Sequence, residues 1–123
     1  MNVFLWVLQA ALAVVFGLAG AAKSTLPKER LRPALAWVDD FGPGQVRLIG
    51  AVELLAALGL VLPALTGIAP VLTPLAATGL AVVMVLAAAV HARRKEPPAI
   101  AVNVVLLVPA VVIAWGRFGA YAL

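Results

Sequence analysis

Four long apolar runs, each closed by a charge or a proline, are the feature that most limits what this chain can become. The first reads Val3 to Ala22 and stops at Lys23. The second runs from Val46 to Leu62, before Pro63, and the third from Val71 to Ala92, before Arg93-Arg94-Lys95-Glu96-Pro97-Pro98. The fourth extends from Ile100 to Gly116 and ends at Arg117. At about 1.5 Å per residue, a helix of about twenty residues spans the roughly 30 Å hydrocarbon core of a bilayer. Within that core each backbone N–H and C=O must be paired internally, which leaves helices or closed barrels. The runs lack strand alternation, so the pattern predicts an all-α, four-transmembrane-helix bundle, a single integral membrane domain over residues 1–123.

Composition agrees, with 65% hydrophobic and 11% charged residues, far from the balance of a soluble domain. Nine Lys and Arg against five Asp and Glu give a net charge of +4. The bases sit at the ends of apolar runs, where they act as topology signals, so no nucleic-acid partner is expected. The chain has no cysteine, which removes disulfides, thiolate metal sites and dithiol relays. One histidine without cysteines makes a metal site an unattractive reading. Leu18-Ala19-Gly20-Ala21-Ala22 has the small residues of a signal cleavage site, but no basic region precedes its overlong apolar core.

The connection from Ser24 to Gln45 carries Lys28, Glu29, Arg30, Arg32, Asp39 and Asp40 with three prolines and cannot cross lipid. Its stretch Ala34 to Phe41 has an incomplete apolar face and suggests a short interfacial helix. Pro63 is expected to end the second span, and Pro109 to bend the fourth and free a carbonyl. Eight bases (Lys23, Lys28, Arg30, Arg32, Arg47, Arg93, Arg94 and Lys95) flank the connections 23–45 and 93–99, against Arg117 alone on the other side. The bias predicts a multi-pass protein of the plasma (inner) membrane with both termini outside.

Ionisable groups near the bilayer centre cost about 2.5–3.5 kcal/mol on insertion scales, so each needs a reason. Glu53 is the clearest case, seven residues into its run and flanked by Gly50-Ala51-Val52 and Leu54-Leu55-Ala56. Lys23, Arg47, His91 and Asn103 fall toward the same membrane half, and Gln9 in the opposite half. Glu53 and His91 are the candidate proton-handling, catalytic residues. Lys23, Arg47 and Asn103 are candidate substrate-binding residues. Taken singly, Lys23 and Arg47 also read as interfacial anchors, His91 as a headgroup-level histidine and Asn103 as a packing hydrogen bond between helices. Glycines and alanines such as Gly17, Gly20, Gly50, Gly59 and Ala87-Ala88-Ala89 suit close helix approach.

The segments Gly17-Leu18-Ala19-Gly20-Ala21-Ala22-Lys23 and Val46-Arg47-Leu48-Ile49-Gly50-Ala51-Val52-Glu53-Leu54-Leu55, with Gly59 beyond, resemble the DoxX and DoxX-like membrane proteins. Pro63, His91 and Asn103 extend the resemblance, and the Arg-x-x-Gly-x-x-Glu segment is its most specific part. The resemblance implies a four-helix membrane protein associated with membrane redox complexes, with a quinone as the cofactor or ligand to consider. Without cysteines, the thiol chemistry of methylamine-utilisation relatives does not carry over.

Two functions follow as expectations. One is a quinone- or lipid-linked redox-associated subunit, possible as part of a membrane oxidoreductase, with a polar site around Glu53. The other is a non-catalytic assembly factor or membrane protein partner, or a homo-oligomer, whose polar residues fix helix packing. A small multidrug exporter fits worse, because its essential glutamate would stand in the first helix, where this chain has none.

Overall fold

The computed structural model describes the chain apart from residues Arg32, Ala34, Ala36, Asp39 and Asp40 and the side chain of Lys28. It is helical, without strands among the described residues. Helix α1 covers Asn2–Thr25, a short α2 covers Lys28–Leu31, and α3, α4 and α5 cover Pro43–Thr66, Leu72–Arg93 and Pro97–Phe118. The four long helices are each long and apolar enough to cross a membrane. Each extends a little beyond its apolar run because capping groups and prolines, rather than the last apolar residue, set the ends. Pro43 and Pro97 supply fixed helical φ at helix starts, where the missing N–H costs nothing.

Successive long helices run antiparallel, and α1 packs on α3, α3 on α4, α4 on α5 and α5 back on α1. Each buries one stripe. On α1 the stripe is Leu5, Gln9, Leu12, Phe16 and Gly20, and on α3 it is Val46, Gly50, Glu53, Ala57, Leu60 and Pro63. The spacing of three and four residues is one helix face. The remaining faces expose valines and leucines such as Val7, Leu55, Val85 and Val105. Water would penalise so much exposed apolar surface, and acyl chains do not.

The expectation that α3 stops at Pro63 is corrected: the helix passes through Pro63 to Thr66. Proline interrupts a helix by depriving the carbonyl four residues earlier of its donor. Here that carbonyl belongs to Gly59, and the Thr73 hydroxyl of α4 donates to it at 2.9 Å. The neighbouring carbonyl of Leu60 accepts from Gln9 Nε2 of α1 at 2.7 Å. Two adjacent helices therefore repair the interruption, and the helix ends instead at Gly67, whose φ of 72° forms the left-handed cap.

The turn from α4 to α5 is closed in the same manner. Lys95 takes a φ of 57°, its N–H donates to Ala92 and that of Glu96 donates to His91, the paired bonds of a Schellman cap. The predicted interfacial helix at Ala34–Phe41 lies partly outside the described residues. Trp37 and Val38 form a short 3-10 turn, and Val38 is fully buried.

Candidate functional site

The α1–α3 crossing is the closest in the bundle and determines the geometry around Glu53. A Cβ on Gly20 would lie 2.5 Å from the Leu54 backbone nitrogen, and one on Gly50 would lie 2.5 Å from that of Ser24. Glycine is required at both positions because the two backbones nearly touch. Lys23 follows Gly20 by three residues and Glu53 follows Gly50 by three, so the crossing brings their side chains together. Lys23 Nζ donates to Glu53 Oε1 at 2.6 Å. The glutamate side chain is 1% exposed and that of the lysine 12%.

The connection before α3 closes over this pair. Leu31, Val38 and Val46 form a small second core, packed by Ala22, Leu26, Leu35, Trp37 and Phe41. The Trp37 ring lies 5.3 Å from Lys23 Nζ, within cation–π range. Phe41 meets Trp37 edge to face, with centroids 5.7 Å apart. A segment that the sequence presents as a charged loop thus supplies an aromatic ring against the lysine that pairs with Glu53.

Asn103 is buried on α5 at 7% exposure. Its depth follows from two contacts farther along. A Cβ on Gly116 would meet Leu5 at 2.7 Å, and Arg117 Nε donates to Gln9 Oε1 at 2.7 Å. Descending α5 from those contacts by roughly 20 Å, at about 1.5 Å per residue, reaches Asn103, opposite α1 between Leu18 and Lys23. Asn103 thus lies at roughly the depth of the Lys23–Glu53 pair along the bundle. Asn103 Nδ2 and Glu53 Oε2 are both buried without a hydrogen-bond partner among the described residues.

His91 and Arg47 are placed differently. His91 Nδ1 lies 2.9 Å from Glu96 Oε1, and Arg94 Nε donates to the same oxygen at 3.2 Å. The hydrogen bond from His91 holds the Glu96 carboxyl below its ordinary value of 4.5; desolvation opposes this, while the charges of Arg94 and His91 reinforce it. That triad belongs to the α4–α5 turn. Arg47 is exposed, since one residue past buried Val46 the helix has turned by about 100°. Of the five candidates, the structure therefore joins Lys23 to Glu53, sets Asn103 at roughly their depth, ties His91 to Glu96 and turns Arg47 outward.

The opposite end of the bundle holds a polar cluster that the sequence reading missed. Arg117, treated there as the marker of a helix exit, is 3% exposed. Besides its bond to Gln9, its Nη1 donates to Asn2 Oδ1 at 2.6 Å and to the Tyr121 carbonyl at 2.9 Å. Trp6 lies beside the guanidinium at 6.0 Å. Both ends of the chain therefore meet at this end of the bundle. The signal available in the sequence was antiparallel pairing of the first and fourth spans, which sets Gln9 opposite Arg117.

The described surface includes concavities between helices. One of about 410 Å³ lies between α4 and α5, with Ala81, Val85, Leu107 and Val111 in its wall, and another of about 210 Å³ adjoins Arg117. Glu53 lines neither. Among the described residues no group of three His, Cys, Asp or Glu side chains could hold a metal ion.

No curated protein and no solved structure matches this chain. A family model described as the DoxX-like family matches residues 7–113, which takes in α3 and α4 complete and most of α1 and α5. With Lys23, Gly50, Glu53, His91 and Asn103 all inside the matched region, this multi-pass chain of four apolar helices belongs to the DoxX-like family.

Proposed function

We propose that this protein is a non-catalytic membrane partner or assembly subunit, whose intramembrane charges serve to fix helix register. The observation that carries this reading is the Lys23–Glu53 ion pair, at 2.6 Å inside the closest helix crossing. A carboxylate kept for proton transfer needs a route to its substrate. Glu53 instead has a lysine on one oxygen, and the Trp37 ring packs against that lysine. Burying a salt bridge gives little net stability, while breaking one side is costly, so such a pair disfavours every register in which the two residues do not meet. Orientation enters the proposal through the bias of bases: the connections before α3 and between α4 and α5 face the cytoplasm, and both termini lie outside the plasma membrane. Activity of a cytoplasmic reporter fused after Leu123 would reverse that orientation.

The test of the main reading is the double substitution Lys23→Met with Glu53→Gln, which removes both charges and keeps the volumes. The partner role requires that complexes isolated from native membranes with this variant match those of the wild type. Loss of those complexes, with the variant still folded, would defeat it.

A second reading, a quinone- or lipid-linked redox-associated subunit, draws on one observation. Glu53 Oε2 and Asn103 Nδ2 are a buried acceptor and a buried donor, each without a partner among the described residues, and a hydroxyl or carbonyl headgroup has the chemistry to use both. In that reading Glu53 and His91 handle protons, and Lys23, Arg47 and Asn103 hold the ligand. Unchanged ubiquinone binding by Glu53→Gln would remove it.

A further inference from the structure

Among the described residues, Arg117 is a buried charge with no acidic partner. Its guanidinium is bonded to an amide oxygen of Gln9, an amide oxygen of Asn2 and a backbone carbonyl of Tyr121. All three partners are neutral. Its third nitrogen, Nη2, is buried without a partner among the described residues. A buried charge ordinarily has a counter-charge, and the described residues offer no acidic side chain at this end. Of the described acidic residues, Glu29 and Glu96 belong to the connections at the basic end, and Glu53 is committed to Lys23.

Arg117 also lines the concavity of about 210 Å³, together with Pro70, Val71, Phe118, Ala122 and Leu123. The opening therefore lies where the end of α5 meets the start of α4. The first turn of α4 contributes the positive end of a helix dipole there. The other side chains of the wall are apolar, as expected at the level where acyl chains give way to headgroups.

We propose that this concavity is an oxyanion site in which Arg117 binds a phosphate group, either the diester of an anionic lipid or free phosphate. Guanidinium donors match phosphate oxygens in a planar fork. Gln9 and Asn2 hold the guanidinium by neutral acceptors, which orient it without neutralising it. Arg117 stands on α5 and bonds to α1 and to the segment at Tyr121, so an anion seated there braces both ends of the chain. This site is independent of the reading given for Glu53.

The experiment uses the full chain with a C-terminal tag, so that Leu123 presents no terminal carboxylate, in a neutral detergent. Phosphatidylglycerol, phosphatidylcholine and inorganic phosphate are added in turn, with native mass spectrometry and thermal unfolding as readouts. Wild type should retain phosphatidylglycerol and be stabilised by it, and not by phosphatidylcholine. Arg117→Gln should weaken that binding at least about tenfold, and Arg117→Lys should restore part of it. Stabilisation by inorganic phosphate that matches the lipid identifies free phosphate as sufficient; stabilisation by the lipid alone identifies the headgroup with its chains. The substitutions Arg93→Gln and Lys95→Gln, at the opposite end, should leave the effect in place. Equal lipid binding by wild type and Arg117→Gln would overturn the proposal, as would abolition of the effect by the Arg93 and Lys95 substitutions. Should Arg117→Gln fail to fold, the Arg93 and Lys95 variant and the comparison of the three probes on wild type still decide it.

Discussion

Removing either partner of the Lys23–Glu53 pair should destabilise the bundle, and the two removals should not be equal. Lys23→Met leaves a carboxylate that is 1% exposed with neither oxygen paired, and stranding a buried charge costs about 3–5 kcal/mol. Glu53→Gln leaves an ammonium that is 12% exposed, close to the end of α1 and 5.3 Å from the Trp37 ring. A four-carbon stem can carry that charge toward the headgroups, so about 1–2 kcal/mol is expected. Replacing both, Lys23→Met with Glu53→Gln, strands no charge and should fall within about 1 kcal/mol of wild type. The double variant is then more stable than Lys23→Met alone, with a coupling of at least about 2 kcal/mol. Equilibrium unfolding in mixed micelles, followed by tryptophan fluorescence, measures all four proteins. Additive single effects, or Glu53→Gln costing more than Lys23→Met, would refute the reasoning.

Other perturbations separate the remaining contacts. Gly50→Ala would press a methyl against backbone and should cost about 1–3 kcal/mol, whereas Gly79→Ala, with nothing within 4 Å, should be neutral or favour the helix by about 1 kcal/mol; the same unfolding assay ranks them. Thr73→Val leaves the Gly59 carbonyl without its donor and should cost about 1 kcal/mol, with a bend at Pro63 visible as a change in amide exchange along α3. Since the folded value of Glu96 lies below its unfolded value of about 4.5, its contribution to stability is complete above that pH and is lost as pH falls through the folded value; Glu96→Gln should flatten the acid limb of the melting curve below about pH 4.5.

The fold was legible because lipid leaves few alternatives. Twenty apolar residues followed by Lys23 or by Arg93-Arg94 can be read as a span without knowing any neighbour, and the family resemblance rested on the same segments. Pro63 was misjudged for a reason outside its own helix. Whether proline stops a helix depends on who answers the carbonyl it strands, and Thr73 lies ten residues away on another helix. The neighbourhood of Glu53 was legible only in part. Its cost in lipid is a property of one residue, but its pairing with Lys23 depends on how closely Gly20 and Gly50 let two backbones approach. Arg47 shows the converse, since it stands in the most specific stretch of sequence and yet lies on the outward face. Arg117 escaped notice because a base at the end of an apolar run looks the same whether it reaches for headgroups or turns inward.

The position of the polar locks bears on how this bundle could move. Two seams separate the α1–α3 pair from the α4–α5 pair, and both are bonded at the end that holds the termini. Thr73 closes the α3–α4 seam on Gly59, and Arg117 closes the α1–α5 seam on Gln9. At roughly the depth of Glu53, by contrast, the residue that α5 offers is Asn103, whose Nδ2 has no partner among the described residues. Hydrogen bonds hold an antiparallel pair together where they occur, and a seam bonded at one end separates most readily at the other. A group that seeks Glu53 would therefore enter from the basic half by parting α5 from α1, with the bonded end as the pivot. This ties the competing functional readings to a single physical variable. If Asn103 and Glu53 stay closed at that depth, the charges serve register alone; if the seam opens there, the same two atoms become a binding site.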